Sequence, residues 1–513
     1  MVKYRGMIQA LWTQVQHHFS SVIESLENLQ TPFSYYVVTF VAIVLLRDFA
    51  EDFSAHATPE VPAIFIHFFL SYTALSAALI VALQALTGVD VRRVARVVMA
   101  SFALIWLAPV LDILIGGLNV FAPAYITESK LILSGYFTYF GPIVQSGVTP
   151  GMRIEIGCAI LLSLGYTLLK TKSVGKGIAS VFLTYTIIFA YIALPAIVTH
   201  LGIHPELTPL FLPKFYFLLT LAQILYLLYR LYPGPFLTMV RDVRPLRLCH
   251  YQFMFVLGVC LAVYYGYADL SQRSIPPLDV LLIFCSITFA WMYSIVTNNL
   301  EDIAIDAISN PYRVTITKSI DRKAYQQIGW LLLVLALSCA LLINFSYTFM
   351  LGLFIGIYFM YSMPPFRIKR FFLVSKFLLG LNALVLAIAG YMYVTGNSIH
   401  EFPIVFIPFF LVGMTLALNF IDIKDYAGDK QAGIQTMSVL FGQKNAKLVI
   451  GVSFMLCYLM LFYIIGDSRL LLPLLVGAVV QFYFVNKTHY QEWLILVTHL
   501  VSLFGAFVYF LSN

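Results

Sequence analysis

The stretch that decides the fold is an apolar run that ends in a cluster of acidic and amide residues. Residues 277–297 read PLDVLLIFCSITFAWMYSIVT, and residues 298–306 continue NNLEDIAID. About 20 mostly apolar residues are enough for a helix to cross the hydrocarbon core of a bilayer. The stretch therefore predicts a transmembrane helix that delivers Asn298, Asp302 and Asp306 to one membrane surface.

The whole chain has the same membrane character. Of its 513 residues, 61% are hydrophobic and 11% are charged, whereas an average soluble domain carries about 25% charged residues. These proportions exclude a water-soluble enzyme and a nucleic-acid binder. The apolar runs are continuous and of helix length rather than short and alternating, which excludes a membrane β-barrel. We predict an all-α polytopic membrane protein.

The apolar runs predict about fifteen transmembrane helices. They lie at about 35–47 with its flanks, 60–86, 96–118, 154–171, 177–199, 209–231, 250–269, 277–297, 326–344, 347–362, 375–395, 402–421, 446–466, 469–486 and 491–511. The loop 119–153 holds an apolar patch at 131–144 that could be re-entrant.

A basic stretch that contains Pro and Gly, residues 232–249, divides these helices into two groups. We predict a six-helix accessory membrane domain at 1–235 and a nine-helix domain at 236–513. Residues 1–235 carry no motif that names a chemistry, although Asp112 is an acid in the middle of a predicted span. Our hypothesis is that this domain delivers a lipid, docks a protein partner or stabilises the rear domain.

The distribution of basic residues predicts the orientation. If the N-terminus is cytoplasmic, only six of the 31 Lys and Arg residues fall on the opposite side: Arg47, Lys130, Arg153, Lys214, Arg273 and Arg469. Cytoplasmic loops of membrane proteins carry an excess of Lys and Arg. We therefore predict that the N-terminus and the acidic loops are cytoplasmic.

A second acidic cluster lies in NFIDIKDYAGDKQAG, residues 419–433. In both clusters the spacing of three or four residues places the acids on one helix face. Stacked carboxylates repel each other and are costly at membrane depth, so they need cations. Mg2+ typically binds one or two carboxylates together with substrate phosphates. The predicted Mg2+ ligands are Asn298, Asp302, Asp306, Asp422, Asp425 and Asp429.

Cationic and aromatic residues lie in the neighbouring loops. Together with Mg2+, Arg and Lys side chains can stabilise the charge of a departing diphosphate. Basic residues also occur in cytoplasmic loops without any catalytic role, so these assignments depend on the acidic motifs beside them. The predicted diphosphate-binding residues are Arg313, Tyr361, Arg367, Lys369 and Lys430.

Taken together and in this order, the motifs resemble the UbiA-type intramembrane prenyltransferase superfamily. The similarity covers about residues 240–513 and includes NxxxDxxxD at 298–306, YSMPPFRIK at 361–369, DxxDxxxD at 422–429 and GIQTMSVLFG at 433–442. Arg244-Pro245 is similar to the family's entry segment. The chain departs from the family at Val314, where Pro is frequent, and at Asn299, where many members carry Asp.

The resemblance implies a nine-helix bundle and a reaction. The reaction is Mg2+-dependent transfer of a polyprenyl group from its diphosphate to an aromatic or lipid acceptor, with release of pyrophosphate. Catalytic roles would fall on four aspartates: Asp302, Asp306, Asp425 and Asp429. Residues 306–313 are similar to the chlorophyll-synthase branch and residues 428–442 to the homogentisate branch. A quinone-ring precursor, a chlorin propionate, a glycerol lipid and a phosphoribosyl group therefore stay open as acceptors.

Two other functions stay open as alternatives. An ion-coupled transporter would use the acids to bind ions, but transporter sites tend to lie at the bilayer midplane in broken helices, whereas these acids follow the ends of spans. A UbiA-like scaffold without activity is the other alternative. Loss of one motif would favour it, and both motifs are complete here.

Overall fold

The fold is described from a computed structural model that covers residues 2–54, 61–116, 125–203, 210–268, 275–396 and 399–512. These residues form helices and connecting loops, and no strand occurs among them. The chain divides into two compact units, Met1–Tyr232 and Pro233–Asn513. We call them the front unit and the rear unit.

Thirteen helices in the described residues are long and apolar enough to cross a membrane, five in the front unit and eight in the rear unit. The all-α polytopic fold is thereby confirmed. Two predicted spans correspond to helical segments outside this count, namely Phe33–Ser54 and the shorter apolar segment Phe406–Asp422. Some predicted positions lie outside the described residues: 60, 117–124, 209, 269 and Arg273.

The front unit contains eleven α-helices in the described residues. They are α1 (Val2–Leu26), α2 (Phe33–Ser54), α3 (Val61–Thr87), α4 (Val91–Ser101), α5 (Leu107–Gly116), α6 (Leu131–Phe137), α7 (Ile143–Ser146), α8 (Pro150–Thr171), α9 (Val174–Ile192), α10 (Leu194–His200) and α11 (Phe211–Leu231). The apolar patch at 131–144 forms the short helix α6 and the start of α7 rather than one continuous segment.

The acid in the middle of a front-unit span has a structural partner. Asp112 on α5 accepts hydrogen bonds from the Thr149 hydroxyl at 2.5 Å and from the Gly151 backbone N–H at 2.7 Å. The first N–H groups of a helix have no partner within the helix. Asp112 therefore satisfies the start of α8, and this contact accounts for a buried carboxylate at that depth.

The rear unit begins with the short helix α12 (Pro233–Arg241) and continues through the nine predicted spans. Its helices are α13 (Pro245–Tyr264), α14 (Pro277–Glu301), α15 (Ile303–Ser309), α16 (Val314–Thr317), α17 (Arg322–Leu341), α18 (Phe345–Ser362), α19 (Val374–Thr395), α20 (Phe406–Pro408), α21 (Thr415–Ala417), α22 (Tyr426–Gln431), α23 (Met437–Ile465), α24 (Leu471–Asn486) and α25 (Glu492–Ser512). The sixth span, 406–422, combines α20 and α21 with turns of π- and 3-10 geometry.

Two glycines allow α13 and α19 to cross at the centre of the rear unit. A Cβ atom on Gly258 would lie 1.8 Å from the Ala387 carbonyl oxygen, and one on Gly390 would lie 1.9 Å from the Phe255 carbonyl oxygen. Small residues at such crossings let helix backbones approach closely within a membrane. The crossing matters for the cavity described below, because α13 and α19 both contribute residues to its wall.

Gly258→Ala should destabilise the rear unit, because the added methyl group cannot fit beside the Ala387 carbonyl. Overpacking of this kind costs about 1–3 kcal/mol or more. The thermal unfolding midpoint of the purified protein in detergent should therefore fall. Gly352→Ala on α18 is the matched control, since nothing lies within 4 Å of its added Cβ. Equal midpoints for the two variants would contradict the close crossing.

Candidate active site

A single cavity in the rear unit brings the two acidic clusters together. Its volume is about 790 Å³, which lies in the range of small-molecule binding pockets. One part of its wall carries the acidic and basic side chains of the loops. The rest is largely apolar and is formed by segment 406–422 with α23, α24 and α25. The cavity therefore offers a charged region and a hydrocarbon region to one ligand.

The first acidic motif spans the junction between α14 and α15. Helix α14 ends at Glu301, and Asp302 has φ −99° and ψ 16°. Backbone hydrogen bonds from Asp302 to Asn298 (3.0 Å) and from Asp306 to Asp302 (2.8 Å) keep the four-residue repeat across this junction. The side chains of these three residues consequently share one face, and all three line the cavity.

The second acidic motif also spans a junction between two helical segments, and its turns are tighter. Asp422 ends a 3-10 turn, and α22 begins just after Asp425. The backbone N–H of Asp425 donates to Asp422 at 3.2 Å, and that of Asp429 donates to Asp425 at 2.9 Å. All three carboxylates line the cavity. The structure thus brings the six predicted metal ligands to one wall, although they are distant in sequence.

Asn310 connects the two motifs, a role that the sequence did not indicate. Its buried side-chain amide donates to Asp306 at 3.1 Å and to Asp425 at 3.2 Å. One amide group therefore holds a carboxylate of each motif. The residue belongs to the stretch DAISNPYR, but nothing in that stretch shows which way Asn310 faces in the folded chain.

Three of the carboxylates are paired with cations. Asp302 forms an ion pair with Lys369, Asp306 accepts from Arg313 at 2.9 Å, and Asp422 accepts from Lys376 at 2.6 Å. In contrast, Asp425 and Asp429 have no Lys or Arg within ion-pair distance among the described residues. Within ion-pair distance, the second motif therefore has fewer cations than carboxylates.

Burial affects the ionisation of carboxylates in both motifs. Burial, followed by the nearby charges of Asp422 and Asp425, raises the pKa of Asp429 to about 8. Burial also raises the pKa of Asp306 to about 6, even though Arg313 stabilises the carboxylate. Burial therefore disfavours the ionised form of both carboxylates, and a bound cation would stabilise that form.

The predicted diphosphate-binding residues divide into two groups. Arg313, Tyr361 and Lys369 line the cavity. Arg367 does not line the cavity, and it donates to the Glu301 carbonyl at 3.1 Å and to the Asp302 carboxylate at 3.5 Å. Lys430 is exposed, and its ammonium group lies 5.7 Å from the centre of the Tyr426 ring. Arg367 and Lys430 are therefore not part of the cavity wall.

Two arginines join the wall, Arg244 and Arg247. Asn299 holds Arg244, because its Oδ1 atom accepts from Arg244 at 2.9 Å and from Arg313 at 2.8 Å. Asn299 is fully buried and does not line the cavity, so it positions two arginines rather than facing a ligand.

Comparison with known proteins identifies the rear unit. Residues 256–494 match the model of the UbiA prenyltransferase family. The rear half of this chain is a UbiA-family domain. The predicted resemblance of about residues 240–513 is thereby confirmed.

Relatives of this UbiA domain are named for different functions. Homogentisate phytyltransferase 1 of Arabidopsis thaliana is 30% identical over 176 residues, which are 30% of this chain and 42% of that protein. Digeranylgeranylglyceryl phosphate synthase of Pyrococcus horikoshii is 27% identical over 180 residues, 35% of this chain and 63% of that protein. The chain thus spans less than two thirds of each relative.

Among solved structures, a UbiA homologue of Archaeoglobus fulgidus bound to DMAPP and Mg2+ is 19% identical. The superposition covers 53% of the present chain and 97% of the Archaeoglobus fulgidus chain, with a TM-score of 0.43.

Lys376→Met should destabilise the UbiA domain, because it leaves the Asp422 carboxylate buried without its cation. The two side chains are only 3% and 12% exposed, and breaking a buried ion pair costs about 3–5 kcal/mol. The thermal midpoint should fall and should recover in the double variant Lys376→Met with Asp422→Asn, which removes the stranded charge. A single variant as stable as the wild type would show that the pair contributes nothing.

Proposed function

We propose that the UbiA domain transfers a prenyl group from its diphosphate to an aromatic or lipid acceptor in the bilayer and releases pyrophosphate. The observation that carries this proposal is the cavity itself. Its charged wall of acids and cations continues directly into an apolar wall between helices. A prenyl diphosphate needs both environments, because its head is a polyanion and its tail is a hydrocarbon.

The oxygen donors fit Mg2+. Mg2+ prefers carboxylate oxygens and keeps positions for substrate phosphates. The described residues contain no group of three or more His, Cys, Asp or Glu that could hold a metal ion alone, so the diphosphate would complete the coordination. We propose that two acidic motifs hold the ions, through Asn298, Asp302, Asp306, Asp422, Asp425 and Asp429. When bound, Mg2+ would offset the charge that develops on the leaving diphosphate.

The chain's own side chains have two tasks in this proposal. Arg244, Arg313 and Lys369 line the charged wall and would bind the diphosphate oxygens, which fixes the head of the substrate. The rings of Trp291, Tyr251 and Tyr358 pack together on the same wall, with centroids 5.3–5.8 Å apart. Aromatic faces stabilise a cation, as required when the allylic C–O bond ionises.

The orientation and the front unit complete the proposal. The excess of basic residues supports a cytoplasmic placement of the N-terminus and of the acidic loops. We propose that residues 1–235 act as an accessory membrane domain for the UbiA domain at 236–513, through a lipid, a protein partner or added stability.

The acidic motifs lie at helix ends rather than in the middle of a span, which argues against the transporter.

Asp425→Asn should abolish transfer, because it removes a cavity carboxylate that has no ion-pair partner among the described residues. We expect pyrophosphate release to fall by about 100-fold or more, the usual effect of losing a key electrostatic contact. The assay uses purified protein in lipid nanodiscs with Mg2+, a panel of prenyl diphosphates and candidate acceptors. Asp321→Asn is the matched control, since Asp321 caps α17 outside the cavity. An Asp425→Asn protein as active as this control would refute the two-motif mechanism.

Asn310→Ala should weaken substrate binding, because the two motifs lose the amide that joins them. A hydrogen bond to a charged group contributes about 1.5–3 kcal/mol, so the Kd for a prenyl diphosphate with Mg2+ should rise by roughly tenfold or more. Titration calorimetry in nanodiscs measures this change. Asn344→Ala, which removes the cap of α18, should lower stability and leave the Kd unchanged. Equal Kd values for the two variants would show that the Asn310 amide does not contribute to substrate binding.

A further inference from the structure

Two histidines of the cavity wall are bonded to each other. His250 on α13 and His499 on α25 both line the cavity. The Nδ1 atom of His250 lies 2.9 Å from the Nε2 atom of His499, and their ring centroids are 5.0 Å apart. Neither residue belongs to the acidic motifs or to the basic loops. The proposed function so far gives the pair no role.

The histidine pair lies at the boundary between the charged and the apolar parts of the cavity wall. On α13, His250 lies three residues beyond Arg247, which is about 4.5 Å along the helix axis. On α25 the wall continues beyond His499 with Val501, Gly505 and Ala506. The boundary is where the diphosphate head of a prenyl substrate would meet its tail. The first carbon of the prenyl group, which reacts, would lie there.

The shared hydrogen bond fixes what the pair offers to a ligand. A neutral imidazole has one N–H donor and one acceptor nitrogen. If one ring donates to the other, the donating ring keeps a free acceptor nitrogen and the accepting ring keeps a free N–H. In the described part of the chain no hydrogen bond reaches either of the remaining nitrogens, Nε2 of His250 and Nδ1 of His499. The pair can therefore offer one acceptor and one donor, which matches a hydroxyl group.

Other bases on the wall are engaged. Asp302, Asp306 and Asp422 form ion pairs with cations, and the hydroxyls of Tyr251 and Tyr358 are bonded to each other. In the proposed mechanism Asp425 and Asp429 hold metal ions. Among the described residues of the wall, the histidine pair is the neutral base that these roles leave available.

We infer that His250 and His499 bind the hydroxyl group of the acceptor and remove its proton, so that the acceptor is a phenol or an alcohol. This inference rests on the proposed prenyl transfer and names its substrate class. It disfavours a carboxylate acceptor, which is already ionised and has no proton to give.

The step balances with the groups named. The bond between the first prenyl carbon and the diphosphate oxygen breaks, and its electron pair leaves with the diphosphate. A lone pair of the acceptor oxygen forms the new C–O bond. The proton of the hydroxyl passes to the free acceptor nitrogen of the histidine pair. The products are a prenyl ether and pyrophosphate, and the proton then leaves to water.

The test uses the full chain in nanodiscs with Mg2+, one prenyl diphosphate and a set of phenols of increasing acidity. His250→Gln and His499→Gln keep a hydrogen-bonding side chain but cannot accept the proton. Losing a general base typically costs 10²–10⁴-fold, so kcat should fall by about 100-fold or more while the Kd for the prenyl diphosphate stays constant. The loss should shrink as the phenol becomes more acidic, because an acidic hydroxyl needs less help.

Phe253→Leu is the matched control. Phe253 on α13 packs against Phe507 on α25, with ring centroids 5.2 Å apart, and does not line the cavity. It weakens the same helix contact without touching the ligand. Its kcat and its dependence on phenol acidity should match the wild type.

A second measurement uses the wild type alone and so does not depend on whether the variants fold. Phenol and alcohol acceptors should be prenylated, whereas their O-methyl ethers and matched carboxylates should not. Turnover of a carboxylate or a methyl ether at the same rate would overturn the inference. So would histidine variants with wild-type kcat, or with a loss that is equal for all phenols. No pyrophosphate release by the wild type with any acceptor would instead refute the proposed transfer.

Discussion

Buried negative charge at the ends of apolar helices is the constraint on which the rest of the UbiA domain depends. Carboxylates are costly to bury, and adjacent ones repel each other. Cations from separate segments of the chain offset part of this charge: Arg313 pairs with Asp306, Lys369 with Asp302, and Lys376 with Asp422. Among the described residues, no Lys or Arg lies within ion-pair distance of Asp425 or Asp429. This remaining negative charge favours binding of divalent cations together with an anionic ligand.

The second requirement is a scaffold that fixes the positions of these charged side chains. The crossing of α13 and α19 at Gly258 and Gly390 fixes two helices that contribute to the cavity wall. Short interruptions after α14 and before α22 then turn each motif while backbone hydrogen bonds still join its residues three or four positions apart. Asn310 and Asn299 hold the result together through hydrogen bonds to charged groups. Such bonds are stronger than those between neutral groups, which suits residues that must position a ligand.

The sequence predicted the main features of the fold and of the candidate site because they depend on local pattern. Apolar runs of helix length predicted the polytopic fold, and the family match at 256–494 confirmed the resemblance. The acidic spacing predicted one face for each motif, and the structure places both faces on one wall. The sequence was less informative for the cations. Lys430 follows Asp429 directly yet is exposed, whereas Lys376, distant in sequence from Asp422, is its ion-pair partner.

The sequence alone determined the membrane character, the positions of most helices and the chemical type of the two motifs, since each of these depends on composition and on spacing within one helix. Only the tertiary structure decided which charges pair, which amide joins the motifs and which histidines meet. Such contacts join residues as far apart as His250 and His499. Their geometry depends on how helices pack, and a side chain three or four positions away on the same helix points elsewhere because each residue turns the helix by about 100°. The spacing along the chain therefore leaves the partners of these side chains undetermined.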